Sequence, residues 1–165
     1  MKNEPIEMYS PHFSKQEMQR SGMAIRLGIE NQPGREEEEN LRQLCLNVLE
    51  PDAEAEANLQ ALCTHVLEPL RARFGRIIVT SAYRSKAVNE ALFGEPHSQH
   101  LKGEAADIHV SNKEMGRRYF RYIKHVLDFD QLLFEHVMNN GCMWLHVSYC
   151  RDSSRNRHKA KELSI

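Results

Sequence analysis

The sequence predicts an α+β fold, with helices packed on one side of a small, mainly antiparallel sheet, and three observations carry that prediction. Strand-like runs gather after residue 76: the β-branched Ile77-Ile78-Val79-Thr80, the alternating segment from Ala105 to Val110, and the pair 130–137 and 143–149 flanking Asn140-Gly141. Helical spacing marks the repeats before residue 70 and the stretch 112–127, where Met115, Tyr119, Ile123 and Val126 recur on one face. With 165 residues, 41% of them hydrophobic, the chain is long enough for one domain with a real core and too short for two comfortable ones. We therefore expect one domain over 1–150 and, because 151–165 is basic and lacks apolar periodicity, a disordered tail.

Taken in order, Ser14-Lys15-Gln16-Glu17 has the form of a capping box and opens a short helix expected to stop near Ser21-Gly22. His12 reads as structural, and Gly28 to Gly34 as a loop. Within 36–69 lies an imperfect tandem repeat with a period of 18 residues, in which Asn40 to Pro51 returns as Asn58 to Pro69 with eight of twelve positions identical. Eighteen residues make five helical turns, so both copies would present leucine and valine on one face. Pro51 implies two helices, or one bent near Leu49 to Asp52. The run Ile77 to Thr80 is the clearest strand, and Ser85 can cap a short helix closed by Gly94.

The chemistry gathers around 98–109. In the alternating strand Ala106, Ile108 and Val110 face the core, which turns Asp107 to the other face, seven residues after His100 in a turn-rich run. On spacing alone the pair is either two metal ligands or a loop histidine and a surface carboxylate. His109 shares the face of Asp107 and reads as a neighbour of the site or a wall of its cleft. If Asn140-Gly141 forms a two-residue turn, Glu135 lies opposite His146, with Leu132, Phe134, Leu145 and Val147 facing the core; a loop one residue earlier would set Glu135 against Trp144. Arg84, where strand meets helix, is either a surface ion pair or a fork for a carboxylate.

Ser81-x-x-Arg84, Ser98-x-His100, Gly103-x-Ala105-Ala106-Asp107 and Trp144-x-His146 together resemble the signature of the zinc D-alanyl-D-alanine carboxypeptidase family. These peptidoglycan peptidases share a hedgehog/DD-peptidase-like fold and include endolysins and vancomycin-resistance dipeptidases, and the likeness runs from Pro11 to Tyr149. It implies one Zn2+ per chain held by His100, Asp107 and His146, Arg84 and Ser98 near the substrate or metal, and Ser81 and Trp144 around them. Several branches of the family carry their catalytic glutamate three residues before the last histidine, a position that is Met143 here. The hairpin register nominates Glu135 as the base instead, and the Asp130-Gln131-Leu132-x-x-Glu135 run resembles one branch of the family. The second repeat copy corresponds to the family helix that enters the first central strand, which makes the first copy an insertion.

The implied activity is hydrolysis of peptide bonds in peptidoglycan stem peptides or crosslinks, by a carboxypeptidase, an endopeptidase or a phage lysin. A non-catalytic zinc-bearing module on the same fold is the alternative. A formal net charge of −1 gives no reason to expect nucleic acid or an anionic membrane as partner. The sequence has neither a transmembrane-length apolar run nor the core of a signal peptide, so a cytoplasmic start and reduced thiols at Cys45, Cys63, Cys142 and Cys150 are expected.

Overall fold

The structure, a computed structural model, describes residues 6–28, 31, 53–137 and 141–164. The first repeat copy, at 40–51, and Cys45 lie outside them. A short hairpin of β1 (Met8–Ser10) and β2 (Phe13–Ser14) opens the described chain. Ser14 then caps α1 (Lys15–Met18) by accepting from the Glu17 N–H, as the capping box predicts. Ser21 does more than mark a stop, because its hydroxyl accepts from Ala24 N–H and starts a second helix, α2 (Gly22–Leu27).

The second repeat copy runs through one nearly continuous rod made of α3 (Ala53–Leu62), a π-helical stretch (Cys63–Leu67) and α4 (Glu68–Phe74). A proline in a regular helix crowds the carbonyl four residues back and leaves it without a donor. Here the Glu68 N–H reaches back five residues to the Cys63 carbonyl, so the helix is widened just before Pro69 and the chain passes the proline without ending.

The main sheet has five strands in the order β3-β4-β6-β5-β7: β3 (Val79–Ser81), β4 (Ala105–His109), β5 (Gln131–His136), β6 (Met143–Ser148) and β7 (Lys159–Ser164). Between β3 and β4 Ser85 caps α5 (Lys86–Ala91). All neighbours are antiparallel except β5 and β7, so the α+β prediction holds with one parallel pair added. One sheet face is closed by the α3–α4 rod and α6 (Lys113–Val126), with Ala106, Ile108, Leu132, Phe134, Leu145 and Val147 all fully buried between them. The period-2 pattern assigned these residues to the core face, and it leaves the other face open for polar side chains. On α6, Tyr119 and Ile123 are buried as spaced, whereas Val126 is 62% exposed because the helix ends there, past the edge of the sheet contact.

The expectation of a disordered tail is corrected. Residues 159–164 form β7 along the free edge of β5, pairing from Gln131↔Lys159 to His136↔Ser164. Composition registered the charge of this segment but not the main-chain partners a distant edge strand offers. Arg157 anchors the entry, donating from its backbone N, Nε and Nη2 to the buried Asp130 carboxylate. Lys159 and Lys161 stay exposed, charges of the kind that protect an edge from further pairing. No helix among the described residues is long and apolar enough to cross a membrane.

Candidate metal centre

Asp107 and His146 are direct cross-strand partners between β4 and β6, both on the open face of the sheet. His100 comes from the 3-10 turn Gln99–Lys102 just before β4, which Ser98 caps by accepting from His100 N–H. Gly103 closes that turn at φ +68, and a Cβ there would stand 2.5 Å from the Ala55 carbonyl oxygen of α3. The turn thus needs glycine for its left-handed backbone and for its close approach to the helix.

The three side chains bring one ligand atom each within 4.8 Å of one another. His100 Nε2 lies 3.4 Å and His146 Nδ1 2.9 Å from the same Asp107 oxygen, Oδ1. Bonds of about 2.1 Å to a tetrahedral zinc would separate ligand atoms by about 3.4 Å, so the donor set is spaced for such an ion. His100 is also fixed in orientation. Its Nδ1 sits 2.6 Å from the Ala82 carbonyl, which can only accept, so Nδ1 carries a hydrogen and the ring turns its Nε2 toward Asp107. Burial pushes the Asp107 carboxyl up, but hydrogen bonds with His100 and His146 outweigh it and hold the group far below the usual carboxylate range. The site is therefore anionic where a cation would sit.

Arg84 is placed differently from the substrate fork drawn from the resemblance. Its Nη2 donates to Asp107 Oδ2 at 2.6 Å and its Nε to Ser81 Oγ at 2.9 Å, so it aims the carboxylate with Oδ1 toward the histidines. Ser81 in turn orients Arg84. The guanidinium also lines the cleft in front of the centre, as does Ser98.

The hairpin register is the second correction. Glu135 pairs with Trp144 and Leu133 with His146, the arrangement expected of the earlier loop, not of an Asn140-Gly141 turn. The connection between Val137 and Cys142 is four residues long, with Val137 N–H bonded to the Cys142 carbonyl and Gly141 N–H to the Val137 carbonyl. Gly141 spends its positive φ of +69 at the end of this longer loop. Because the slip is two residues, an even number, the faces are unchanged, and Glu135 still points to the side of His146, now on the diagonal. Diagonal neighbours are about 7–8 Å apart. Glu135 is thus outside the ligand set but within reach of something bound to it. Half-buried, it receives a hydrogen bond from Trp144; burial raises its pKa above the ordinary value, partly offset by the charge of His146. His109, paired with Trp144, is exposed at the end of β4 and does not line the cleft.

The cleft measures about 900 Å3 and is lined by the three ligands, Glu135 and Trp144, with Lys102, Glu104, Ser154 and Arg155 also in its wall. Sequence reasoning missed that part of the wall. Its residues come from the turn after His100 and from a segment whose composition suggested disorder, and nothing in either pattern links the two. Gln99 and Asp130 were also missed; Gln99 donates to Asp130 Oδ2, tying the ligand-bearing turn to the start of β5.

Comparison with known proteins gives one family. The Peptidase M15 family model matches residues 11–148, which includes every strand from β2 to β6 and all three ligands. No curated protein matches the chain.

Proposed function

We propose, for a chain that belongs to the peptidase M15 family and is by that membership a metallopeptidase, that it is a zinc peptidase hydrolysing peptide bonds in peptidoglycan stem peptides or crosslinks. The observation that carries the reading is the His100, Asp107 and His146 donor set at the floor of an open cleft, with a free carboxylate beside it. Two imidazoles and one carboxylate form a borderline-soft nitrogen and oxygen set, the kind that suits zinc, and three protein ligands leave a position open. Zinc held there supplies Lewis acidity, lowering the pKa of a water and polarising a carbonyl.

The chain's own residues do the rest. Glu135 accepts the proton of the attacking water and passes it to the departing amine, and its raised pKa brings it nearer to neutrality, where a group can both take and return a proton. Trp144 holds that carboxylate from the neighbouring strand. Arg84 holds Asp107 in orientation, and its N–H groups not bonded to Asp107 or Ser81 are left to meet a substrate oxygen in the cleft. Ser98 and the Ala82 carbonyl hold His100 in place.

The peptidoglycan substrate rests on the motifs shared with the D-alanyl-D-alanine carboxypeptidase group. Incubating purified protein with muropeptides, with and without a chelator, and weighing the products by mass spectrometry tests it. The expected result is a defined peptide-bond cleavage that chelation abolishes and zinc restores. Intact muropeptides alongside chelator-sensitive cleavage of unrelated peptides would keep the metallopeptidase and reject the wall substrate.

A further inference from the structure

The cations that line the cleft fall into two groups by what they touch. Arg84 is held by Asp107 and Ser81, and Arg157 makes three hydrogen bonds to Asp130. Those two are committed to the fold and the metal centre. Arg155 and Lys102 are not. Among the described residues the Arg155 guanidinium has one ion-pair partner, Glu104 at 4.0 Å, too far for a hydrogen bond, and Lys102 has none. Both act electrostatically on Glu104, whose side chain is only 5% exposed between them. Asp130 and Glu54 act on Glu104 as well, but Asp130 is taken up by Arg157, so what Lys102 and Arg155 offer here is charged hydrogen-bond donors left unfilled among the described residues. Each cation is exposed, so engaging a ligand costs little desolvation.

From this juxtaposition we propose that Lys102 and Arg155, both lining the cleft, form a subsite for a carboxylate borne by the body of the peptide substrate. The proposal rests on the reading of the cleft as the peptidase site. A planar guanidinium grips a carboxylate through two parallel N–H donors, and the ammonium adds a second charge. Arg155 lies beyond the stretch 11–148 that the family model matches, whereas Lys102 lies within it.

The test is a binding measurement, which needs no turnover. Zinc-loaded full-length protein is titrated calorimetrically with two peptide pairs that differ only in charge. One is L-Ala-γ-D-Glu-L-Lys-D-Ala and its analogue amidated at the glutamate α-carboxyl; the other is Ala-Glu-Ala and Ala-Gln-Ala. The carboxylate form should bind about tenfold tighter, the scale of one charge-assisted hydrogen-bonded contact. Arg155→Gln or Lys102→Gln should each shrink that ratio several-fold, and the double variant should bring it near one. Lys161→Gln, on the exposed edge of β7, should leave it intact. Equal binding of both forms by the unmodified protein, binding of neither, or a ratio that survives the double variant overturns the subsite. Discrimination between the tripeptides without cleavage of the stem peptide would retain the subsite and reject the wall substrate. Cleavage of the stem peptide without discrimination does the reverse.

Discussion

Changing Glu135 to glutamine separates the two things a carboxylate beside a metal can do. Glu135 lies outside the group of ligand atoms that fall within 4.8 Å of one another, and its diagonal position relative to His146 sets it back from the ion that group would hold. The substitution keeps the shape of the side chain and an oxygen for the Trp144 hydrogen bond, and removes only the proton acceptor. Loss of a general base typically costs 10²–10⁴ in rate, or about 2.7–5.5 kcal/mol of barrier. Stability should move the other way. Burial raises the Glu135 pKa in the folded state, so its ionised form is disfavoured by folding, and that penalty is present at neutral pH, above the unfolded value. Glutamine carries no such penalty. Glu135→Gln should therefore retain its zinc by elemental analysis, melt at or slightly above the wild-type temperature, and cleave at least about a hundredfold more slowly. In the wild type kcat/KM should fall on the acid side as Glu135 protonates. A variant that turns over at nearly the wild-type rate, or one that loses its metal, would refute the assignment of Glu135 as a base that is not a ligand.

The ligand assignment predicts about one zinc per chain, and His146→Ala or His100→Ala should each lower the bound zinc sharply in dialysis against buffer followed by metal analysis; full retention in both variants would point to other ligands. The anchoring of β7 predicts that Asp130→Asn costs about 2–3 kcal/mol in urea denaturation at neutral pH, because a buried carboxylate that accepts three bonds from Arg157 and one from Gln99 is replaced by a neutral amide. Burial raises the Asp130 pKa, but the bonds from Arg157 and Gln99 outweigh it and the net shift is downward. The wild-type advantage should thus be complete above the unfolded carboxyl value of about 3.9 and shrink as pH falls through the lower folded one; an advantage that persists unchanged at the acid end would contradict the ion pair.

By itself the sequence determined which residues face which way. A strand alternates with a period of two, so Asp107, His146 and Glu135 had to share the face opposite Ile108, Leu145 and Phe134 once their segments were recognised as paired strands. That assignment survived a register error, because lengthening the loop by two residues on the β5 side slips one strand by an even number against the other and exchanges neighbours without exchanging faces. Motif spacing likewise brought His100 to the ligand set, since a tight turn capped by Ser98 and closed by Gly103 leads directly into β4. Tertiary structure alone decided contacts between segments that no local pattern connects. It set the Ala82 carbonyl against His100, turned Arg84 onto Asp107, and drew a charged C-terminal segment onto the edge of β5 through Arg157 and Asp130. Periodicity and capping are properties of neighbouring residues, whereas a hydrogen bond or an ion pair depends on which distant groups are left unsatisfied when the chain closes, and that is settled only in the folded molecule.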